Sequence, residues 1–112
     1  MLLGAFYGGV AITGSGTTAV HALSYPLGGR YHIAHGVSNA ILFAHVMEFN
    51  KDACSRRLAS LCDGVFPELA GRTEEEKAQY MIDQIADIVK ATEIPTDLST
   101  FGVKMEDLDF LV

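Results

Sequence analysis

The stretch "HALSYPLGGRYHIAHG", residues 21–36, separates two helical patterns and contains three of the chain's four histidines. The residue before a proline avoids helical dihedral angles, and glycine is common just beyond the end of a helix. We therefore predict that the helix carrying His21 ends at residues 26–29 and that the chain reverses there. A reversal would let this helix face the start of the next one, which carries His35.

The rest of the chain has helical patterns on both sides of this stretch. The clearest helix begins at Thr73, which forms a T-x-x-E capping box with Glu76 and precedes a single apolar stripe. No segment has the alternation expected of a half-buried strand. The fold class is therefore predicted to be all-α, a bundle of about five to six helices. The other helices are predicted over residues 2–12, 17–25, 36–49, 51–62 and 104–112.

Charged residues are unevenly distributed along the chain. It has 8 basic and 14 acidic residues, a net charge of −6, and this balance argues against a nucleic-acid partner. Residues 1–29 contain no charged side chain, and the first acid is Glu48. We therefore predict that the first quarter of the chain is buried and that the later helices have an acidic, solvated face.

The uncharged first segment raises the question of a membrane span. Only residues 1–12 are predominantly apolar, whereas a span needs about 20 such residues. Gly4 and Gly8 favour a helix packed closely against its neighbours. Cys54 and Cys62 form no metal-binding or disulfide pattern, and no basic residues precede the first apolar run. These features predict a cytoplasmic protein with no membrane partner.

The segment "GSGTTA", residues 14–19, has the G-x-G-x-x-A spacing of a dinucleotide-binding turn. Such a turn needs a preceding strand and an acid about 20 residues further on, to hold a ribose hydroxyl. Glu48 lies too far along the chain for that role. We therefore interpret these glycines as a bend between helices.

His21 and His35 are the strongest candidates for metal ligands. In one continuous helix they would lie about 21 Å apart, too far to share an ion, but a reversal between them removes that obstacle. A metal normally takes at least three protein ligands, so two histidines make an incomplete site. His32, His45 and Glu48 are poor further candidates, since nothing orients them toward His21.

Two interpretations therefore remain open from the residues alone. The histidines could form part of a metal site, or they could cap and pack helices in a non-catalytic interaction module. The two interpretations differ in whether the rings of His21 and His35 converge or point apart.

Residues 16–50, "GTTAVHALSYPLGGRYHIAHGVSNAILFAHVMEFN", closely resemble the signature of the iron-containing (group III) alcohol dehydrogenases. The match is ungapped, and the looser remainder is compatible with the C-terminal part of that family. The resemblance implies that residues 1–112 are a partial C-terminal helical metal-binding domain, and that an N-terminal nucleotide-binding domain is absent from this chain.

The resemblance also implies the chemistry. Family members use a divalent ion, usually iron (Fe²⁺) and sometimes zinc (Zn²⁺), held by an Asp and three His, to transfer hydride between an alcohol or aldehyde and NAD or NADP. Two ligands match His21 and His35 here, and the other two lie upstream as D-x-x-x-H. The isolated chain is therefore expected to bind metal weakly or not at all, to be inactive, and to form a homo-oligomer through exposed apolar surface.

Two departures from the family pattern concern the candidate site. Many members have a second histidine four residues after the first ligand, facing the nicotinamide and the substrate, and here that position is Tyr25. A phenol, with its high pKa, cannot do the same proton work near neutral pH. Tyr25 is therefore a candidate catalytic residue that could instead shape the pocket. Ala34 replaces a proline that often precedes the second ligand, and could loosen the turn that holds His35.

Overall fold

The structure is a computed structural model that describes residues 1–111, and within that range it contains helices and turns but no strand. The predicted all-α class is therefore confirmed. Short 3-10 turns occupy Pro67–Leu69, Leu98–Phe101 and Met105–Asp107. The five α-helices are α1 (Leu2–Ser15), α2 (Ala19–Tyr31), α3 (His35–Val65), α4 (Glu74–Ala91) and α5 (Leu108–Leu111).

The core lies between α3 and α4. Leu58 of α3 packs with Ala78 and Ile82 of α4, and all three side chains are buried. Ala40, near the start of α3, and Val89, near the end of α4, line one crevice, so the two helices run antiparallel. Burying a side chain of the size of Leu or Ile stabilises a fold by about 1.5–3 kcal/mol. The pair α3–α4 is therefore the rigid support for everything attached to the start of α3.

The start of α4 confirms the predicted capping box. The Thr73 hydroxyl accepts a hydrogen bond from the backbone N–H of Glu76 at 3.2 Å, and the Glu76 carboxylate accepts one from the Thr73 N–H at 2.9 Å. Most of the predicted apolar stripe faces α3. Ile88 does not, since it is 64% exposed.

Two predicted helix boundaries are wrong. Residues 36–49 and 51–62 belong to one helix, α3, because no glycine or proline interrupts the chain between Gly36 and Gly64. The helix carrying His21 does not end at residues 26–29 but continues through Pro26 to Tyr31. Proline fixes a helix-compatible φ and removes only one N–H, so packing of α2 against α3 overrides the local signal.

The reversal between α2 and α3 lies instead at residues 32–34. His32 ends α2 in the left-handed conformation, with φ of 54°. Histidine is one of the few residues other than glycine that adopt this conformation with some frequency. His32, a poor candidate for a metal ligand, therefore makes the turn that the sequence predicts at residues 26–29.

The prediction that the first quarter is buried is wrong for residues 1–19, whereas Val20, Ser24 and Leu27 are buried. Residues 2–12 are helical as expected, but residues 1–19 are all exposed and α1 buries no side chain. The helix is apolar around most of its circumference, so its sequence does not single out one packing face. None of the helices within residues 1–111 has both the length and the apolar character needed to cross a membrane.

The last described segment holds the C-terminal end of α2. Asp107 forms an ion pair with Arg30 at 3.0 Å, and the Arg30 guanidinium also lies 4.7 Å from the centroid of the Phe110 ring. The predicted final helix is thus a 3-10 turn followed by the short α5, and its last residue, Val112, lies outside the described residues. These contacts brace the reversal that leads into His35.

Candidate metal centre

The packing of α2 on α3 brings His21 and His35 together. Their ring centroids lie 5.2 Å apart, with 58° between the ring planes. His21 is half-buried in the first turn of α2, and His35 is exposed at the first position of α3. The predicted pair is therefore adjacent in space. The turn that brings the two rings together begins at residue 32, six residues after the start of the predicted break at residue 26.

Two serines make the close approach of the helices possible. Ser24 and Ser38 are fully buried, and each follows one of the two histidines by three positions. Each serine hydroxyl donates a hydrogen bond of 3.0 Å to the backbone carbonyl of its histidine. A small side chain that bonds within its own helix leaves no unsatisfied polar group at the helix contact. Neither serine was predicted from the sequence, in which the i+3 spacing from the histidines was the available signal.

The amide of Asn39 lies between the two imidazoles. Its Nδ2 atom is 3.4 Å from His21 Nε2 and 3.2 Å from His35 Nε2. Two Nε2 atoms from different helices therefore converge on one point. Asn39 is four residues after His35 and thus on the same helix face, but it was not predicted from the sequence as part of the site.

Tyr25 completes the cluster on the solvent side. Its ring lies parallel to the His35 ring, with 5.8 Å between centroids and 10° between planes, and meets the His21 ring edge-on at 6.4 Å. The side chain is 61% exposed. The structure thus places Tyr25 against both candidate ligands, as its i+4 spacing from His21 predicts.

A groove of about 250 Å³ adjoins His21 and Asn39. It lies where the end of α1, the start of α2 and the first turns of α3 meet, and it is mostly apolar. Such a groove could admit a small molecule beside the histidines. The lining residues are Ile12, Gly16, Thr17, Thr18, Val20, His21, Asn39 and Phe43.

The other titratable residues considered from the sequence stay away from the pair. His32 is in the turn, and His45 lines a separate crevice with Lys90 on the α4 side. The Glu48 carboxylate accepts hydrogen bonds from Lys51 at 2.7 Å and from Gln79 at 3.1 Å, and these bonds lower its pKa. No group of three or more His, Cys, Asp or Glu side chains that could hold a metal occurs within residues 1–111.

The donor set fits part of a metal site. Imidazole nitrogens are ligands for zinc and iron, and Nε2 of His21 and Nε2 of His35 both contact Asn39 Nδ2, at 3.4 Å and 3.2 Å. One ion would need the two nitrogens within about 4 Å of each other, given metal–nitrogen distances near 2.0–2.1 Å. Two ligands fall short of the usual three or more.

Comparisons with known proteins agree with one another. The model of the Fe-containing alcohol dehydrogenase family, C-terminal part, matches residues 1–112. The chain is 34% identical over 111 residues, 99% of its length, to long-chain-alcohol dehydrogenase 1 of Geobacillus thermodenitrificans (strain NG80-2). It is 41% identical over 107 residues, 96% of its length, to alcohol dehydrogenase 4 of Schizosaccharomyces pombe (strain 972 / ATCC 24843). A solved structure of 1,3-propanediol oxidoreductase aligns with 82% of the chain at a TM-score of 0.76 and 32% identity.

The chain spans only a fraction of each of these proteins. It covers 28% of the Geobacillus protein, 24% of the Schizosaccharomyces protein and 24% of the solved chain.

Proposed function

We propose that this chain supplies two metal ligands to an NAD(P)-dependent alcohol dehydrogenase, because it belongs to the Fe-containing alcohol dehydrogenase family and represents the C-terminal part of that family. The reaction would transfer hydride between an alcohol and the nicotinamide. The observation that carries this proposal is the convergence of His21 Nε2 and His35 Nε2 on one point between two helices. The alternative of a non-catalytic packing module predicts rings that point apart.

Each residue of the cluster has a role in this proposal. His21 and His35 would hold the divalent ion, iron or zinc, through their neutral Nε2 atoms. When bound, such an ion supplies a Lewis acid for the substrate oxygen. Ser24 and Ser38 keep the backbones of the two ligands close together. Tyr25 would limit rotation of the His35 ring and form one wall of the substrate site.

The remaining parts of the enzyme would come from a longer protein. A second pair of ligands, and the domain that binds NAD or NADP, have no counterpart among the described residues. We expect the isolated 112-residue chain to bind metal weakly and to turn over no alcohol. The substrate would be an alcohol or aldehyde, as the names of the alcohol dehydrogenases similar to this chain suggest.

The ligand assignment is tested in the longer enzyme that contains this chain. We expect His21→Ala and His35→Ala each to lose most of the bound metal, measured by elemental mass spectrometry, and to lose alcohol oxidation with NAD or NADP. His45→Ala is a matched control, because His45 is an exposed histidine on the same helix as His35. Retained metal and activity in both ligand variants would contradict the proposal.

A further inference from the structure

Asn39 is the side chain that contacts both candidate ligands through the atoms that would bind the ion. Its Nδ2 lies within hydrogen-bonding distance of Nε2 on both rings. An amide nitrogen has two N–H donors and no acceptor, so an imidazole nitrogen facing it must present a lone pair. In a neutral ring the proton is then on Nδ1.

We propose that Asn39 is a positioning residue of the metal centre. In the absence of an ion it keeps Nε2 of both His21 and His35 unprotonated, which is the protonation state that an ion requires of both ligands. This inference rests on the proposed function, since it concerns the same two histidines. Its consequence is that a single residue sets the tautomer of two ligands from different helices.

The position of Asn39 explains how one side chain serves both rings. It is one helical turn after His35 on α3, so the two share a face. That face packs against α2 at His21, 18 residues earlier in the chain. Asn39 is half-buried in this contact, which restricts where its amide can go.

The opposite orientation of the amide is the competing arrangement. A rotation of the amide by 180° would place Oδ1 against the rings, and both would then have to carry their proton on Nε2, where it would block an ion. In the observed orientation, Oδ1 is a buried acceptor without a hydrogen-bond partner among the described residues. The rotated amide would instead leave two N–H donors in that buried place, and each unsatisfied buried donor carries its own desolvation penalty. The balance favours the observed orientation.

The tautomers can be read directly from the 112-residue chain by ¹⁵N NMR of the imidazole rings. The spectrum is recorded at about pH 9, where free imidazole is neutral. We expect His21 and His35 to carry the proton on Nδ1. His32 and His45, which do not contact Asn39, provide references in the same spectrum.

Two variants of Asn39 make the test specific. Asn39→Asp keeps the shape but can only accept hydrogen bonds, so we expect both rings to move their proton to Nε2. Asn39→Leu removes the donors at similar volume and should change the ratio of tautomers by about twofold to tenfold, the effect of one lost hydrogen bond. Asn50→Asp is the matched control, an exposed asparagine on the same helix, and should leave both rings unchanged.

Several outcomes would overturn the inference. The first is a wild-type chain with both protons on Nε2, and this result stands even if a variant fails to fold. The second is an unchanged tautomer ratio in folded Asn39→Asp or Asn39→Leu, because a merely structural residue would lower the melting temperature without moving the ring protons. Neither result depends on bound metal. The inference about Asn39 can therefore fail while the assignment of His21 and His35 as ligands stands, and the ligand assignment can fail while the inference stands.

Discussion

At the scale of single residues, the site is made by small polar side chains as much as by the histidines. Ser24 and Ser38 are fully buried beside His21 and His35, where a larger residue would separate α2 from α3. Asn39 then fills the space between the rings with a donor of the correct geometry. These residues contribute position, and the histidines contribute the ligating atoms.

Variants of Tyr25 distinguish a packing role of its ring from a proton-transfer role of its hydroxyl. In the longer enzyme, Tyr25→Ala removes the ring stacked on His35 and should weaken metal binding by about threefold to tenfold, because an aromatic pair contributes about 0.5–1.5 kcal/mol. The measurement is the dissociation constant for the metal.

Tyr25→Phe is the matched control, since it retains the ring and lacks only the hydroxyl. We expect its metal affinity and kcat to stay close to those of the wild type, because a phenol with a pKa near 10 is a poor proton carrier at neutral pH. A large loss of kcat in Tyr25→Phe with metal retained would assign a catalytic role to the hydroxyl instead.

At the scale of elements, the ends of α2 and α3 decide where the ligands lie. α2 continues through Pro26 to Tyr31, and α3 runs without interruption for 31 residues. The segment around Asp107 braces the end of α2 through Arg30. The Asp107 carboxylate also accepts a hydrogen bond from the backbone N–H of Lys104 at 3.0 Å. The C-terminal segment therefore stabilises the turn before His35 from outside the site.

This brace should make stability depend on acid pH. The pKa of Asp107 is lowered most by the Tyr31 hydroxyl beside the carboxylate, then by the Lys104 N–H and then by the charge of Arg30. The Tyr31 hydroxyl makes no hydrogen bond of ordinary geometry with any described residue. A carboxyl whose pKa is lower in the folded state stabilises the fold above its ordinary pKa of 3.8. That contribution is lost as the pH falls below this value.

The corresponding variant is Asp107→Asn. The free energy of unfolding, measured by urea denaturation between about pH 6 and about pH 3, should fall less steeply with acid in this variant than in the wild type. Asp109→Asn removes the same charge from an exposed position in the same segment and should keep the wild-type slope. Equal slopes for Asp107→Asn and the wild type would show that the brace contributes nothing.

At the scale of the whole molecule, the prominent feature is α1, an uncharged helix that buries none of its side chains. Leu3, Phe6 and Val10 are 65%, 63% and 56% exposed. Contiguous apolar surface of this kind is rare on monomers and usually marks a contact with another protein surface. The histidine groove borders the end of this helix at Ile12, so whatever covers α1 would also shape the site.

We therefore expect the 112-residue chain to self-associate through α1. Sedimentation velocity should detect oligomers for the wild type and a shift toward monomer for the double variant Leu3→Glu, Phe6→Glu, because each charge would have to be buried at the contact. Leu61→Glu, at a residue 57% exposed on α3, is the control and should remain associated. A wild-type chain that stays monomeric at the same concentrations would contradict this expectation.

The sequence by itself determined the all-α class, the capping box at Thr73 and the choice of His21 and His35 as a pair. These follow from helical periodicity, from hydrogen bonds over three residues and from a long signature, all of which are local along the chain. Only the tertiary structure decided that α2 passes through Pro26, that His32 makes the turn and that α1 is exposed. It also placed Asn39 between rings that are 18 and 4 residues away. The reason is physical: a helix end and a shared contact depend on which surfaces pack together, and side chains distant in sequence provide that free energy.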